Sequence, residues 1–186
     1  MILTRKGGLK IQLKNSEVAL EDDDLIVSKT DVTGRITYIN RTFMRISGFL
    51  EQELIGVQHN VIRHPDMPRG VFRKMWADLK ENNEFFGYVK NLCRDGSYYW
   101  VFANVTPDYD ESGNLRGYYS VRRRPGRDAI KLVEDFYAKM REEEKIGDKK
   151  SAPERSWKII DDFLEGNSTT YNRFMVELDA EQGMSL

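Results

Sequence analysis

The run FFGYVKNLCRDGSYYWVFANV constrains the fold of this chain more than any other stretch. Two β-prone segments, Phe85 to Cys93 and Tyr98 to Val105, flank Arg94-Asp95-Gly96-Ser97. An Asp-Gly pair between such runs is the strongest short-range hairpin signal, because it accepts the backbone angles of a tight turn. A second loop, Asp108 to Asn114, leads into LRGYYSVRRR, so three strands follow one another as a meander. Upstream, LIVSKTD reads as a strand or the lead-in to one, Asp31-Val-Thr-Gly34 as a turn, and RITYIN alternates apolar and polar as a half-buried strand does. Between these two groups of strands lie the helical patterns. That order predicts an α+β antiparallel sheet with its helices gathered mid-sequence, and excludes a βαβ array.

The helical part opens with Asn40 to Ile46, which Gly48 stops in the left-handed conformation, followed by a short turn of helix from Leu50 to Gly56. HNVIRHPDMPRGVFRKMW comes next. Pro65 and Pro68 push His64 and Met67 out of helical geometry. Asp66 is the expected helix cap, with Pro68 in the first turn, and Val71, Phe72, Met75, Trp76 and Leu79 then share one helical face.

Composition changes near Pro125. Beyond it, Ile130, Val133, Phe136/Tyr137 and Met140 recur at helical spacing. Ser151-Ala-Pro-Glu154 has the form of a capping box opening a second helix, with Trp157, Ile160 and Phe163/Leu164 inward. Gly166 closes that helix, and Tyr171, Phe174 and Leu178 suggest a third. The expected division is a lead-in over 1–24, a sensor-sized domain over 25–124 and a helical extension over 125–186.

Bulk properties narrow the function classes. Of 186 residues, 40% are hydrophobic and the formal charge is −1, which supports a packed core and gives no basic footprint for nucleic acid. The basic cluster Arg122 to Arg127 alternates across a strand, so it reads as a solvated sheet end. Cys93 is the one cysteine, favouring a reducing compartment. No apolar run spans a bilayer and no secretory signal is visible at the N-terminus, so a cytoplasmic location without membrane insertion is expected. No nucleophile–base pair or phosphate-binding glycine loop appears, and the chain does not read as an enzyme.

Taken in order, TDVTGRITYINRTFMRISGF, EQELIGVQHNVIRHPDMP, MWADLK, YVKNLCRDGSYYWVFANVTP and GNLRGYYSVR resemble a PAS sensory domain of the aerotaxis-receptor type, which carries FAD. The match covers Leu25 to Arg124. D-G-x-x-Y-W-V is common to many PAS domains, whereas HNxxRHPDMP followed by Met-Trp is specific to this branch. The resemblance implies a five-stranded antiparallel sheet with short helices on one face. It further implies non-covalent FAD, redox or oxygen sensing, a homodimer, and a downstream signalling protein reached through the C-terminal helices. Two departures stand out: a helical tail replaces the membrane-spanning and signalling segments usual after such sensors, and Phe86 stands where a tryptophan is common.

By resemblance Arg63, His64 and Asp66 hold the flavin, the arginine meeting its phosphates; a planar guanidinium suits phosphate oxygens. Asn40, Asn91 and Asn104 are candidates to read the ring's donor–acceptor edge, Trp76 to stack on it, and Phe86 and Trp100 to line the pocket, Trp100 sharing a strand face with Tyr98. Three rival readings stay open: a heme gas sensor with His64 as axial ligand, a cofactor-free interaction module, and a flavoenzyme. Two histidines and one cysteine are too few for a structural zinc. His59 reads as a loop or core histidine, and Cys93, at a hairpin strand end, as a structural thiol.

Overall fold

The computed structural model describes residues 2–4 and 10–183, so parts of the expected lead-in and the last three residues of the expected extension lie outside the described residues. Strands β1 (Ile2–Thr4) and β2 (Lys10–Gln12) form a small ribbon. The main sheet contains β3 (Ile26–Asp31), β4 (Ile36–Ile39), β5 (Phe85–Leu92), β6 (Tyr98–Tyr109) and β7 (Leu115–Arg123). Its order is β4-β3-β7-β6-β5 and every pairing is antiparallel. The Asp-Gly turn joins β5 to β6 as the sequence requires: Gly96 takes φ +95°, and Asp95 Oδ1 accepts from the Ser97 amide at 3.0 Å.

One face of the sheet carries α1 (Arg41–Ser47), α2 (Glu51–Leu54), a 3-10 turn at His59–Ile62 and α3 (Arg69–Lys80). Asn40 caps α1, accepting from the Phe43 amide at 3.0 Å, and Gly48 ends it at φ +71°. Phe43, Ile46, Phe49 and Leu54 bury against Ile26, Ile36, Tyr99 and Val101 of the sheet.

A second core lies across β5 and β6, where α4 (Arg127–Glu144), α5 (Ala152–Gly166) and α6 (Tyr171–Gly183) pack. Trp100 stacks on Tyr137 with centroids 6.3 Å apart, and Trp157 meets Tyr171 edge-on at 5.0 Å. Strand β5 is a sheet edge, and this packing buries it. Three of its outward backbone groups are matched from other segments: Tyr137 Oη–H donates to the Tyr88 carbonyl at 2.8 Å and the His64 amide to the Lys90 carbonyl at 3.3 Å, while the Lys90 amide meets Met67 Sδ at 3.2 Å.

Two expected caps are made differently. Pro68, not Asp66, is the N-cap of α3 and offers no side-chain bond; Asp66 instead pairs with Lys90 at 2.8 Å, the buried ammonium being the stronger demand. Ser151 stands at the start of α5 without capping it, because Asp148 Oδ2 accepts from the amides of Lys150 and Ser151 and turns the chain one residue earlier. The arginine cluster is only partly a solvated end. Arg122 is 5% exposed, and Arg123, Arg124 and Arg127 pair with Asp179, Asp22 and Glu17 respectively.

Removing the hydroxyl of Tyr137 leaves the Tyr88 carbonyl unmatched inside this second core. Tyr137→Phe is expected to lower the unfolding free energy by about 1 to 3 kcal/mol, measured by urea denaturation. Tyr38→Phe, on the exposed surface, is expected to change it by less than about 0.5 kcal/mol.

Candidate functional site

Between the sheet and the helices on its first face lies a cavity of about 220 Å³. Its floor comes from alternate residues of four strands: Ser28 and Thr30 of β3, Val89 and Asn91 of β5, Ala103 and Val105 of β6, and Ser120 and Arg122 of β7. The register explains the set, since Ser28 lies opposite Ser120, Ser120 opposite Val105, and Ala103 opposite both Arg122 and Gly87. Residues directly opposite in an antiparallel ladder share a face. The roof is the 3-10 turn with Arg63, and the Phe72, Met75, Trp76 and Leu79 stripe of α3. Trp76 meets Tyr118 edge-on across the cavity, with centroids 5.2 Å apart.

The polar end is built around Arg122. Its Nη2 donates to Ser28 Oγ at 2.8 Å and to His59 Nε2 at 2.8 Å. A guanidinium only donates, so Nε2 of His59 accepts, and the proton of the neutral ring sits on Nδ1. Burial, and then the adjacent Arg122 charge, pull the His59 imidazole down to about 3. Burial also lowers Arg122, to about 10. Among the described residues no carboxylate forms an ion pair with Arg122. Its Nη1 has no hydrogen-bond partner, and neither do Asn91 Nδ2 and Ser120 Oγ, which line the same cavity. A buried charge without an anion and buried donors without acceptors are costly. The cavity is thus largely apolar, with unmatched donors among its lining groups.

The structure brings Arg63, Trp76 and Asn91 together at this cavity. Arg63 stacks over Phe72 at 4.2 Å and donates to the Met67 carbonyl at 2.7 Å. The other expected residues lie elsewhere. Asn40 spends its side chain on the α1 cap and on β3, accepting from the Val27 amide and donating to the Leu25 carbonyl. Phe86, Trp100 and Asn104 belong to the opposite sheet face: Phe86 stacks on Phe102, Trp100 on Tyr137, and Asn104 donates to Glu84. Alternation was the right rule, but the cavity takes Tyr99's parity rather than Trp100's. His64 and Asp66 sit beyond the β5 edge, where His64 Nδ1 accepts from the Asp66 amide at 3.1 Å and its ring meets Tyr98 edge-on. Asp66 is held below the usual carboxylate range, despite burial, chiefly by Lys90.

Arg122, Ser28 and Ser120 are the residues that sequence reasoning missed, and His59 was assigned only a structural place. The available signal was parity in S-V-R, which puts Ser120 and Arg122 on one strand face. Cys93 is buried, donates to the Ile46 carbonyl at 3.4 Å, and burial pushes its thiol up to about 11.

Residues 36–122 match the family model described as the PAS fold. The chain is 44% identical over 118 residues to the aerotaxis receptor of Escherichia coli (strain K12), covering 63% of this chain and 23% of that protein. It is 29% identical over 104 residues to the nitrogen fixation regulatory protein of Klebsiella pneumoniae, covering 56% of this chain and 21% of that one. The chain thus spans under a quarter of the length of these relatives. Among solved structures, the light-state LOV domain of the blue-light photoreceptor Aureochrome1 superposes with a TM-score of 0.53 at 19% identity, over 61% of this chain and 90% of that one. A light-oxygen-voltage domain studied with a flavin analogue gives 0.52 at 20% identity, over 60% and 83%. At that identity the likeness concerns the fold.

The neutral state of His59 links stability to pH. Its folded pKa, about 3, lies below the ordinary 6.5, so between these values the unfolded chain binds a proton that the folded chain refuses. Stability is therefore full above pH 6.5 and falls as pH drops toward 3, by about 1.4 kcal/mol per pH unit from this one group. His59→Gln is expected to flatten that fall between pH 6.5 and about 5, before ordinary carboxylates titrate. Chemical denaturation at a series of pH values checks it.

Proposed function

We propose that the cavity of this chain, whose residues 36–122 match the PAS-fold model, holds FAD without a covalent bond and that the domain reports redox state or oxygen to a partner. The observation that carries this reading is a largely apolar cavity whose lining includes three unmatched donors, Arg122 Nη1, Asn91 Nδ2 and Ser120 Oγ. Planar heteroaromatic rings with carbonyl oxygens and ring nitrogens along one edge answer both demands. Resemblance to the aerotaxis-receptor branch supports FAD among such rings. The cavity is smaller than the usual small-molecule cleft of roughly 300 to 1,000 Å³, which suits a ring system inside and the remainder of the cofactor outside. Arg63 lies where the chain leaves the 3-10 turn and is the residue to meet the phosphates.

Bound flavin would supply reversible electron transfer, with charge and protonation changing at its ring edge. Arg122 stays cationic at neutral pH and stabilises added negative charge in a site with little water. His59, fixed as an acceptor toward Arg122, orients the guanidinium and cannot compete for its charge. Trp76 and Tyr118 close the apolar sides. A heme reading is less well supported, because His64 does not line the cavity and Nε2 of His59 is already engaged by Arg122. The output side is the second core. Its helices share β5 and β6 with the cavity, so signal transfer to a partner protomer or a downstream protein would pass through them.

An absorption spectrum of the purified protein, before and after dithionite, tests this first. Twin flavin bands that bleach are expected; a single sharp Soret band would establish heme instead. A colourless protein that takes up no added FAD would end the flavin reading. With flavin present, Arg122→Gln is expected to weaken retention by about tenfold or more, since it removes a buried charged donor.

A further inference from the structure

The first turn of α3 exposes amide groups that its own N-cap, Pro68, leaves unmatched. They are satisfied from another part of the chain. Glu144, the last residue of α4, accepts from the Arg69 amide through Oε2 at 3.0 Å and from the Gly70 amide through Oε1 at 2.9 Å. The same Oε1 accepts from Ser156 Oγ of α5 at 2.8 Å. One carboxylate thus ties α3 to both α4 and α5, its charge placed where the helix dipole favours an anion. Gly70 makes the approach close: a Cβ there would lie 2.5 Å from Ser156 Oγ and 2.9 Å from Met140 Cε. A second bond runs alongside, from Arg141 of α4 to the Asp66 carbonyl at 2.7 Å.

Helix α3 is also the cavity roof, carrying Phe72, Met75 and Trp76 against the sheet. We infer that Glu144 is a positioning residue for the cofactor cavity, so that the C-terminal extension completes the site as well as receiving its signal. This deepens the flavin reading and rests on it for the identity of the ligand; the geometry of the roof stands independently. Because coupling between two sites is reciprocal, whatever shifts α3 from within the cavity shifts the ends of α4 and α5, and the reverse.

The test uses the full chain labelled with fluorotryptophan, assigned with Trp76→Phe, with Glu144→Gln as the principal variant. A neutral amide keeps the size but has one acceptor oxygen for three donors and no charge. Phe163→Leu is the control, since the ring contacts of Phe163 are with Phe136 and Phe174, both in the extension, and it does not line the cavity. Expected for Glu144→Gln is a shifted or broadened Trp76 fluorine resonance and roughly tenfold weaker flavin retention, while Phe163→Leu lowers the melting temperature and moves neither. A Glu144→Gln protein that is destabilised like the control, with Trp76 and flavin retention unchanged, overturns the inference. Should Glu144→Gln not fold, Ser156→Ala removes one donor from the same oxygen, and the same two readouts decide, with smaller shifts expected and their absence overturning. If the protein binds no flavin at all, the Trp76 resonance still decides the role of Glu144, separately from the cofactor.

Discussion

Strand β5 ends the sheet on one side, and its outward amide and carbonyl groups lie against apolar side chains rather than water. An edge buried in this way must find a partner for each group. The segment from Arg63 to Met67 supplies the His64 amide and Met67 sulfur, and α4 supplies the Tyr137 hydroxyl. Much of the remaining architecture follows from satisfying that edge. The chain between the 3-10 turn and α3 is drawn alongside β5, which fixes where α3 crosses the sheet and so where the cavity roof lies. The C-terminal helices are drawn to the same edge, where they bury Tyr88, Trp100 and Phe102.

Polar groups at the β5 edge and in the cavity are treated differently. At the β5 edge and at the start of α3, the demands are met within the chain: Lys90 by Asp66, the α3 amides by Glu144. In the cavity they are not. Arg122 holds Ser28 and His59 and still keeps one nitrogen unmatched, and Asn91 and Ser120 of the same lining are unmatched as well. Among the described residues other buried side-chain atoms also lack a partner, Tyr88 Oη and Asp78 Oδ2 among them, but the cavity is where three unmatched donors, one of them charged, share an apolar lining, as in a binding site. The RHPD motif divides between these tasks: Arg63 reaches the cavity, whereas His64 and Asp66 serve the edge and the contact with α4.

Much of the fold was legible because local signals agreed. Asp95-Gly96 set the β5–β6 hairpin, Asn40 and Gly48 bounded α1, and the Val71 to Leu79 stripe identified the apolar face of α3. The antiparallel order of the last three strands followed from that turn and from the second loop, Asp108 to Asn114. The site was legible in part. Arg63, Trp76 and Asn91 came from resemblance and from helical or strand periodicity, and they do meet at one cavity. Alternation also separated two strand faces on β6, yet Trp100, and Asn104 proposed by resemblance, face the C-terminal helices and Glu84 rather than the cavity.

By itself, then, the sequence determined the elements, their order and the class of fold, since capping, turn conformation and periodicity act over a few residues. Tertiary structure decided which face of each strand meets the cavity, because parity is relative and is fixed only when a partner layer covers one side. It also decided that Arg122, in an arginine-rich run with the look of a solvated strand end, is a buried charge 63 residues along the chain from the His59 it contacts. And it decided that α3 is capped by Glu144, more than 70 residues away. Such pairings are absent from local pattern because only the packed sheet brings the groups within hydrogen-bond distance.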